Sequence, residues 1–492
     1  MKLLAADRLS DLIDREQESA ELWSLGESGE PRLAMLYGRR RVGKTYLLTR
    51  LWDRETAFYF TASNTSPEIN RRVLIEEAER WSGTELRPGD YPTWRSLFRM
   101  LLELQPDRNI VIILDEFQYL ANDEKGLSEV ASELNAVWEG GFRRSAGILV
   151  VLSGSAASTL EELASGGSPL YGRLDWRRQL QPFDYFDAGQ MLAKYSLRDR
   201  IESYAAFGGL PKYLRALDQS RSLAENIVRL LLEPHGEVRL QLETILSQEE
   251  GVRENATYQG ILESVGIKRR PLGEIAAMLA RTVDTPLRRM VGQLVELGLL
   301  QLERDFSERG TRALRYRIAD PALRFYYGMV LPNESAIASS GARAVWRERL
   351  AKEAFPAYAG QHVFEDVVAQ AYRRWRALKG LPAVEEWGRW SGKDRDRRDM
   401  ELDFVVRLLD GRMMTGSAKF RKRKADVSVL FEHLDALKRL SESGRAWARE
   451  ALEPDSPLFF VSAHGFTDSF FQAADDLSQP LIAWTLDDIF RR

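Results

Sequence analysis

The stretch that decides the fold is Gly38-Arg-Arg-Arg-Val-Gly-Lys-Thr45. It matches the pattern G-x-x-x-x-G-K-[ST], whose glycines let backbone N–H groups wrap around phosphate oxygens. The motif follows the apolar run Leu33–Tyr37 directly and precedes the helical pattern Tyr46–Asp53. Because a strand, a glycine-rich loop and a helix N-terminus together favour bound anions, this context predicts a site for ATP. The predicted nucleotide-binding residues are Gly38, Arg39, Arg40, Arg41, Val42, Gly43, Lys44 and Thr45.

A pair of acidic residues, Asp115 and Glu116, ends the apolar run Ile110–Leu114. A strand in this position delivers one carboxylate to a metal ion, and a second carboxylate beside it can polarise the attacking water. We predict that Thr45 and Asp115 hold Mg²⁺, that Lys44 contacts the β- and γ-phosphates, and that Glu116 is the catalytic base. The presence of both carboxylates favours hydrolysis of ATP over binding alone.

Two further segments contain candidate catalytic residues. The run Gly147–Leu152 leads into Ser153-Gly-Ser155, where the hydroxyl of Ser153 or Ser155 can sense the γ-phosphate. Arg173 is a candidate for an arginine that reaches the γ-phosphate of a neighbouring subunit, which would make the protein a homo-oligomer. A surface arginine in a loop explains Arg173 equally well.

The rest of the first third alternates helical patterns with apolar runs, the rhythm of βαβ units around a parallel sheet. The predicted strands are Leu33–Tyr37, 57–60, Ile110–Leu114 and Gly147–Leu152. The last two are apolar throughout, as expected of strands that are buried on both faces. The fold class is therefore α/β, with a P-loop NTPase core over residues 1–183.

Composition sets limits on the remaining chemistry. The chain has 492 residues, which at about 100–200 residues per domain suggests three or four domains. It has no cysteine and only four histidines, at positions 235, 362, 433 and 464, which argues against disulfide scaffolds and Cys-based zinc sites. With a net charge of −3, any nucleic-acid surface has to be a local basic patch. No stretch is long and apolar enough to suggest a membrane segment or a signal peptide, so we expect a cytoplasmic protein without a membrane partner.

Beyond the core, the patterns suggest three more domains. Residues 184–250 have helical spacing, as in an all-α lid. Residues 251–330 show three helical patterns followed by two strand patterns, Leu299–Glu303 and Ala313–Ile318, an arrangement typical of a winged helix-turn-helix. The segment Leu331–Ser335 reads as a linker, and residues 340–492 read as an α/β domain with strands at Glu401–Leu408 and 457–461.

Taken together, these residues resemble the archaeal-type DExx-box ATPases of the AAA+/STAND P-loop group, many of which carry a C-terminal domain of unknown function. The order of the matching pieces along nearly the whole chain is what carries the resemblance. Those pieces are Asp14-Arg15-Glu16, the loop 38–45, Leu114-Asp-Glu-Phe117, Ser153-Gly-Ser155, Pro169–Arg173, Phe207–Leu214 and Tyr316–Pro321.

The resemblance implies a C-terminal domain similar to the PD-(D/E)xK restriction-endonuclease-like fold. In such a fold Glu365 would be the helix carboxylate, Asp403 the strand carboxylate and Lys419 the lysine of the next strand. The acidic ligand expected two residues before Lys419 is replaced by Ser417. Because Mg²⁺ needs carboxylate oxygens, we expect a degenerate fold that serves binding or scaffolding, with cleavage as the weaker alternative.

Basic residues indicate a nucleic-acid partner, non-specific DNA in particular. The run Lys419–Lys424 holds five basic residues in six positions, and such a run can neutralise phosphates. Arg288, Arg289 and Gln293 are predicted to point away from the apolar stripe of the third helix of the winged helix, where a recognition helix would present them to a groove. A solvated loop and a protein-docking winged helix are the respective alternatives.

The sequence therefore predicts an ATP-binding and ATP-hydrolysing protein whose cycle is coupled to DNA handling or to assembly. One rival is a nucleotide-gated switch or scaffold that acts through protein contacts. A second rival is an ATP-dependent nuclease.

Overall fold

The computed structural model describes residues 12–53, 57–104, 110–140, 147–155, 157–246, 256–307 and 314–491. Several sequence predictions lie outside these residues: the N-terminal segment 1–11, the boundary between lid and winged helix at 247–255, and residues 308–313 of the predicted hairpin. The chain divides into two compact units, Met1–Pro182 and Phe183–Arg492.

The first unit is built on a five-stranded parallel sheet with strand order β2-β3-β4-β1-β5. Its strands are β1 (Arg32–Tyr37), β2 (Ala57–Thr61), β3 (Ile110–Asp115), β4 (Ile148–Gly154) and β5 (Trp176–Gln179). The four strands predicted from apolar runs are confirmed. The sequence missed β5, because its residues Trp-Arg-Arg-Gln alternate between half-buried and exposed at the edge of the sheet and form no apolar run.

Helices accompany this sheet in the order expected of βαβ units. They span Glu16–Glu27, Lys44–Leu51, Pro67–Ser82, Trp94–Glu103, Glu124–Gly140 and Ala157–Leu163, with 3-10 turns at Pro88–Asp90 and Phe117–Leu120. Ser66 and Thr93 cap two of the helices by accepting hydrogen bonds from backbone N–H groups of the first turn. The buried strands β3 and β4 pack in one core with Trp94, Phe98 and Leu134. Parallel strands put their carboxyl ends at one edge, so β1, β3 and β4 deliver the residues that follow them to the same place.

The second unit starts with helices and ends in a mixed sheet. Its α-helices up to residue 325 are Tyr185–Met191, Leu197–Phe207, Pro211–Arg215, Leu223–Ile227, Glu237–Glu243, Ala256–Val265, Leu272–Met278, Thr285–Glu296 and Pro321–Phe325. π-helical turns lie at Val228–Leu232 and Tyr326–Val330. The antiparallel pair β6 (Leu300–Arg304) and β7 (Leu314–Ile318) follows the helix Thr285–Glu296. Both predicted strands of the hairpin are thus confirmed over their described residues.

The predicted linker at Leu331–Ser335 is helical instead. A 3-10 turn covers Leu331–Asn333, the helix Glu334–Ser340 follows, and Ile337 is buried. From residue 342 to 375 the backbone stays helical through Ala342–Val345, Trp346–Ala354, Phe355–Tyr358, Ala359–Phe364 and Glu365–Trp375. The small and polar residues between 331 and 341 suggested a linker, whereas burial of Ile337 against the same unit stabilises a helix there.

The C-terminal sheet has the order β12-β11-β10-β9-β8. Its strands are β8 (Val384–Lys393), β9 (Asp399–Leu408), β10 (Met413–Lys419), β11 (Leu458–Ser462) and β12 (Leu481–Trp484). The pairs of β8 with β9 and of β9 with β10 are antiparallel, and those of β10 with β11 and of β11 with β12 are parallel. Helices Val427–Glu442, Ala446–Glu450, Asp468–Asp475 and Leu486–Phe490 complete this part. Across the described ranges, no helix is long and apolar enough to cross a bilayer.

Candidate nucleotide site

The loop between β1 and the helix Lys44–Leu51 has a backbone that glycine makes possible. Gly38 has φ 145°, and a Cβ at this position would lie 2.5 Å from the carbonyl oxygen of Leu180 next to β5. Gly43 has φ 103° and precedes the first residue of the helix. A side chain at either position would strain the backbone, and at Gly38 it would also collide with the edge strand, so the two motif glycines fix the path of the loop.

Lys44 is the first residue of the helix that follows this loop, and it is buried. Its ammonium donates hydrogen bonds to the carbonyl oxygens of Gly38 at 2.7 Å and Arg39 at 3.2 Å. These contacts hold the positive charge inside the curve of the loop, beside the N-terminus of the helix. Both the ammonium and the helix N-terminus favour an anion there.

Thr45 and Asp115 meet at the carboxyl edge of the sheet. The hydroxyl of Thr45 donates to Asp115 Oδ2 at 2.8 Å, and the phenol of Tyr59 donates to the same oxygen at 2.6 Å. Burial, and after it the charge of Asp115, raises the pKa of Tyr59, so this phenol stays a donor throughout the physiological range. A hydroxyl and a carboxylate side by side are hard oxygen ligands and fit Mg²⁺.

Glu116 is held beside this pair by Ser155 and Gln118. Its Oε2 accepts hydrogen bonds from the Ser155 hydroxyl at 2.8 Å, the Ser155 backbone N–H at 3.2 Å and Gln118 Nε2 at 2.5 Å. No described residue donates to Oε1. Glu116 also has φ 53°, a left-handed backbone that a residue with a side chain adopts at a cost of about 1–2 kcal/mol. Three hydrogen-bond donors and a strained turn after β3 thus fix the orientation of the Glu116 side chain. Strained backbone of this kind clusters at functional sites.

The two candidate serines have different surroundings. Ser155 joins the Glu116 cluster and also accepts a hydrogen bond from Arg40 Nε at 3.4 Å. Ser153 is fully buried, and its hydroxyl makes no hydrogen bond with any residue in the described part of the chain. Of the two serines, the structure brings Ser155 to the predicted base.

Arg173 lies on the surface of the first unit. Its Nε pairs with Glu139 at 3.0 Å, and its side chain is 40% exposed. This ion pair is within one chain and does not involve the loop 38–45. The role of Arg173 toward a neighbouring subunit stays a prediction.

The remaining members of the loop form a second layer around the site. Arg40 donates to the phenol of Tyr119, and Arg41 has the left-handed φ of 70°. Val42 is buried, and Arg39 is half-buried. Sequence reasoning missed Tyr59, Gln118 and Tyr119. Tyr59 follows no motif, and only the pairing of β2 with β3, which sets Thr61 opposite Asp115, brings its phenol to the carboxylate.

The predicted C-terminal residues Glu365, Asp403 and Lys419 border one cavity of the second unit, of about 1110 Å³. Lys419 Nζ lies 3.6 Å from Asp403 Oδ2, and Ser417 donates to the same oxygen at 2.6 Å. Burial, which outweighs the nearby Arg389, raises the pKa of Glu365 well above its ordinary value. Among the residues that the structure describes, no three acidic or histidine side chains are grouped so that they could hold a metal ion.

The third helix of the predicted winged helix, Thr285–Glu296, shows two kinds of polar residue. Arg288 and Arg289 are exposed, as predicted. Gln293 also lies off the buried stripe of Leu287, Val291 and Leu294, but it is half-buried and accepts a hydrogen bond from the phenol of Tyr258, so it is less available to a groove than the two arginines. The neighbouring helix Ala256–Val265 covers Gln293, a contact that helical periodicity does not show.

The residues of the site lie within a segment that matches a known sequence family. The sequence family described as an ATPase domain predominantly from Archaea matches residues 12–217, which include the loop 38–45, Asp115, Glu116 and Ser155. Residues 12–217 form an archaeal-type ATPase domain. The family covers less than half of the chain, and the ATPase domain is the part that it identifies.

Three individual proteins are similar to this chain. An uncharacterized protein of Methanocaldococcus jannaschii is 24% identical over 399 residues, which are 80% of this chain and 84% of that protein. The Walker-type ATPase of Pyrococcus abyssi has a TM-score of 0.49 and 20% identity over 65% of this chain and 96% of its own. The ORC2 protein of Aeropyrum pernix, solved in ADPNP–ADP complexes, has a TM-score of 0.44 and 15% identity over 67% of this chain and 96% of its own.

Proposed function

We propose that the ATPase domain binds ATP with Mg²⁺ in the loop 38–45 and hydrolyses it, and that the cycle is coupled to DNA handling or to assembly. The observation that carries the first part is the contact of Thr45 with Asp115, with Glu116 held next to it by Ser155. These four residues come from three elements: Thr45 from the helix after the loop, Asp115 and Glu116 from the end of β3, and Ser155 from the end of β4. They meet at one edge of the sheet.

Each residue has a distinct task in this proposal. Lys44 and the backbone N–H groups of the loop bind the triphosphate, and Thr45 with Asp115 holds the cation. Bound Mg²⁺ supplies charge neutralisation of the phosphate oxygens. Glu116 orients a water molecule and accepts its proton at Oε1, while Oε2 stays hydrogen-bonded to Ser155 and Gln118. Ser155 couples the position of the base to β4.

Exposed cations support the DNA part of the proposal. Arg288 and Arg289 lie exposed on the helix Thr285–Glu296, followed by the antiparallel pair β6 and β7. Helices that present arginines in this way can contact a groove or the phosphate backbone. In the second unit, Lys419–Lys424 adds a cluster of positive charge.

Measurement of ATP turnover with and without DNA tests both parts. We expect turnover in the parental protein, loss of turnover in Lys44→Ala and stimulation by saturating DNA. If the helix contacts only DNA, the double variant Arg288→Ala, Arg289→Ala should keep the basal ATP turnover, and the stimulation of turnover by DNA should fall. Turnover that DNA leaves unchanged would favour the rival, a nucleotide-gated scaffold. Turnover that survives in Lys44→Ala would refute the site.

A further inference from the structure

The cavity of about 1110 Å³ in the second unit is strongly cationic. Nine lysine and arginine side chains border it, against three carboxylates. Four of these cations, Lys268, Lys352, Arg421 and Lys422, are exposed and form no ion pair with the described residues. No ion pair among the described residues fixes these four charges, and the excess of cations over carboxylates around the cavity attracts anions.

Cations and hydrogen-bond donors of the chain itself contact two of the three carboxylates of this cavity, Glu365 and Asp403. Arg389 Nε lies 3.1 Å from Glu365 Oε2, and its Nη2 donates to Asp366 Oδ1 at 2.6 Å. Asp403 Oδ2 accepts hydrogen bonds from the hydroxyl of Ser417 and the backbone N–H of Ala418, and Lys419 Nζ lies 3.6 Å from it. These contacts engage one oxygen of Glu365 and one of Asp403, and the described residues contain no group of three acidic or histidine side chains that could hold a metal ion. The cavity therefore favours an anion that binds to the cations themselves.

Arg421 and Lys422 form a basic rim of the cavity, and contacts within the protein hold the backbone of this rim in place before any ligand binds. Arg198 lies with its guanidinium 4.2 Å from the centre of the Phe420 ring and donates to the carbonyl oxygens of Phe420 and Arg421. The backbone that carries Arg421 and Lys422 is thereby tied to the helix Leu197–Phe207. Such preorganisation reduces the entropy lost on binding.

His362 also borders the cavity and lies near several cations. Burial lowers the pKa of His362 to about 4, and the nearby charges of Arg324 and Arg389 act in the same direction. The carboxylate of Asp366 opposes them, but it is shared among Arg317, Arg324 and Arg389. The imidazole is therefore neutral at physiological pH and adds no charge of its own to the cavity.

We propose that this cavity binds successive phosphates of a single-stranded nucleic acid without a divalent metal, with Arg421 and Lys422 among the phosphate contacts. Its volume exceeds the roughly 300–1,000 Å³ of ordinary small-molecule pockets. Its unpaired cations come from three separate segments of the chain, so they match a row of phosphates better than one phosphate group. A single strand can follow a concave cationic surface of this kind. The inference names a site for the DNA partner of the proposed function, and it does not depend on the ATP site.

The run Lys419–Lys424 offers a matched pair of variants. Arg421 and Lys422 border the cavity, whereas Arg423 and Lys424 are exposed in the same run and do not. Binding of a fluorescent single-stranded DNA is measured by anisotropy in EDTA, over a range of salt, with Arg421→Ala, Lys422→Ala and with Arg423→Ala, Lys424→Ala. Both double variants remove two positive charges. Thermal unfolding confirms that each variant is folded.

We expect Arg421→Ala, Lys422→Ala to weaken binding roughly tenfold and to reduce the slope of log K against log salt by about 1.4, since each single-strand phosphate contact contributes about 0.7. The control pair should retain most of the parental affinity and slope. Equal weakening in both pairs would mean general attraction by net charge and would overturn the assignment. If the parental protein binds and the cavity variant binds equally well, the cavity is the wrong site while DNA remains a partner. If the parental protein binds no DNA, the cavity assignment and the DNA part of the proposed function both fail, while the ATP site is unaffected.

Two further measurements test whether binding is independent of metal and whether the ligand is a strand or a free polyphosphate. Binding that disappears in EDTA, or cleavage of the strand with Mg²⁺ or Mn²⁺, would contradict a metal-independent site. Inorganic triphosphate serves as the competitor for a free polyphosphate ligand. We expect it to compete weakly, and competition at concentrations equal to those of strand phosphate would overturn the strand as ligand.

Discussion

Replacement of Glu116 by glutamine isolates the chemical step of the ATPase domain. Glutamine has nearly the same shape, and its amide oxygen can accept the hydrogen bonds that Ser155 and Gln118 now donate to Oε2. The fold and the ATP affinity should therefore change little. A neutral amide cannot take a proton from water, so the variant loses general-base catalysis, which contributes about 10²–10⁴-fold. At about 1.36 kcal/mol per factor of ten, the barrier should rise by roughly 3–5 kcal/mol.

Single-turnover hydrolysis of ATP, together with equilibrium binding of ATP, separates the two effects. Glu116→Gln should bind ATP at near-parental affinity and hold it uncleaved. Gln118→Ala serves as the matched control, since it removes one donor to the base and leaves the carboxylate. It should slow hydrolysis on the order of tenfold, because a hydrogen bond to a charged group contributes roughly 1.5 kcal/mol. Hydrolysis at the parental rate in Glu116→Gln would refute Glu116 as the base.

Four other outcomes follow from the structure. Lys44→Ala should abolish measurable nucleotide binding in a titration, because it removes the charge inside the loop, and parental affinity would contradict that role. Tyr59→Phe should lower the unfolding free energy by about 1–2 kcal/mol and slow hydrolysis a few-fold, since Asp115 loses a donor, and denaturant melts with turnover assays check both effects. Arg173→Ala should slow hydrolysis only if subunits share sites, and recovered activity on mixing it with Lys44→Ala protein would show action between subunits. Burial lowers the pKa of His433 to about 4, below its ordinary value of 6.5, so the unfolded chain takes up the proton first and stability falls as pH drops from about 6.5 to 4. In denaturant melts the loss due to His433 should reach about 3 kcal/mol. His433→Gln should lack this part of the loss and keep the part due to His362, whose pKa is lowered in the same way.

Local patterns determined much of the ATPase domain. The loop 38–45, the strands before Gly38 and Asp115, and the position of Ser155 follow from apolar runs and glycines that are close in sequence. A phosphate-binding loop needs only a strand, a turn and a helix N-terminus in succession, so its residues identify it without knowledge of the fold. The helices and strands between residues 256 and 318 could be predicted for the same reason, since each has its own hydrophobic period.

The tertiary structure alone determined the contacts between elements that are far apart in the chain. Tyr59 reaches Asp115 through the register of two neighbouring strands, and Gln118 reaches Ser155 across the ends of β3 and β4. Arg389 belongs to no motif of the sequence, yet packing places its guanidinium between the carboxylates of Glu365 and Asp366. Hydrophobic periodicity reports which face of an element is buried but not which element covers it. Partners of a buried charge are therefore set by the fold alone.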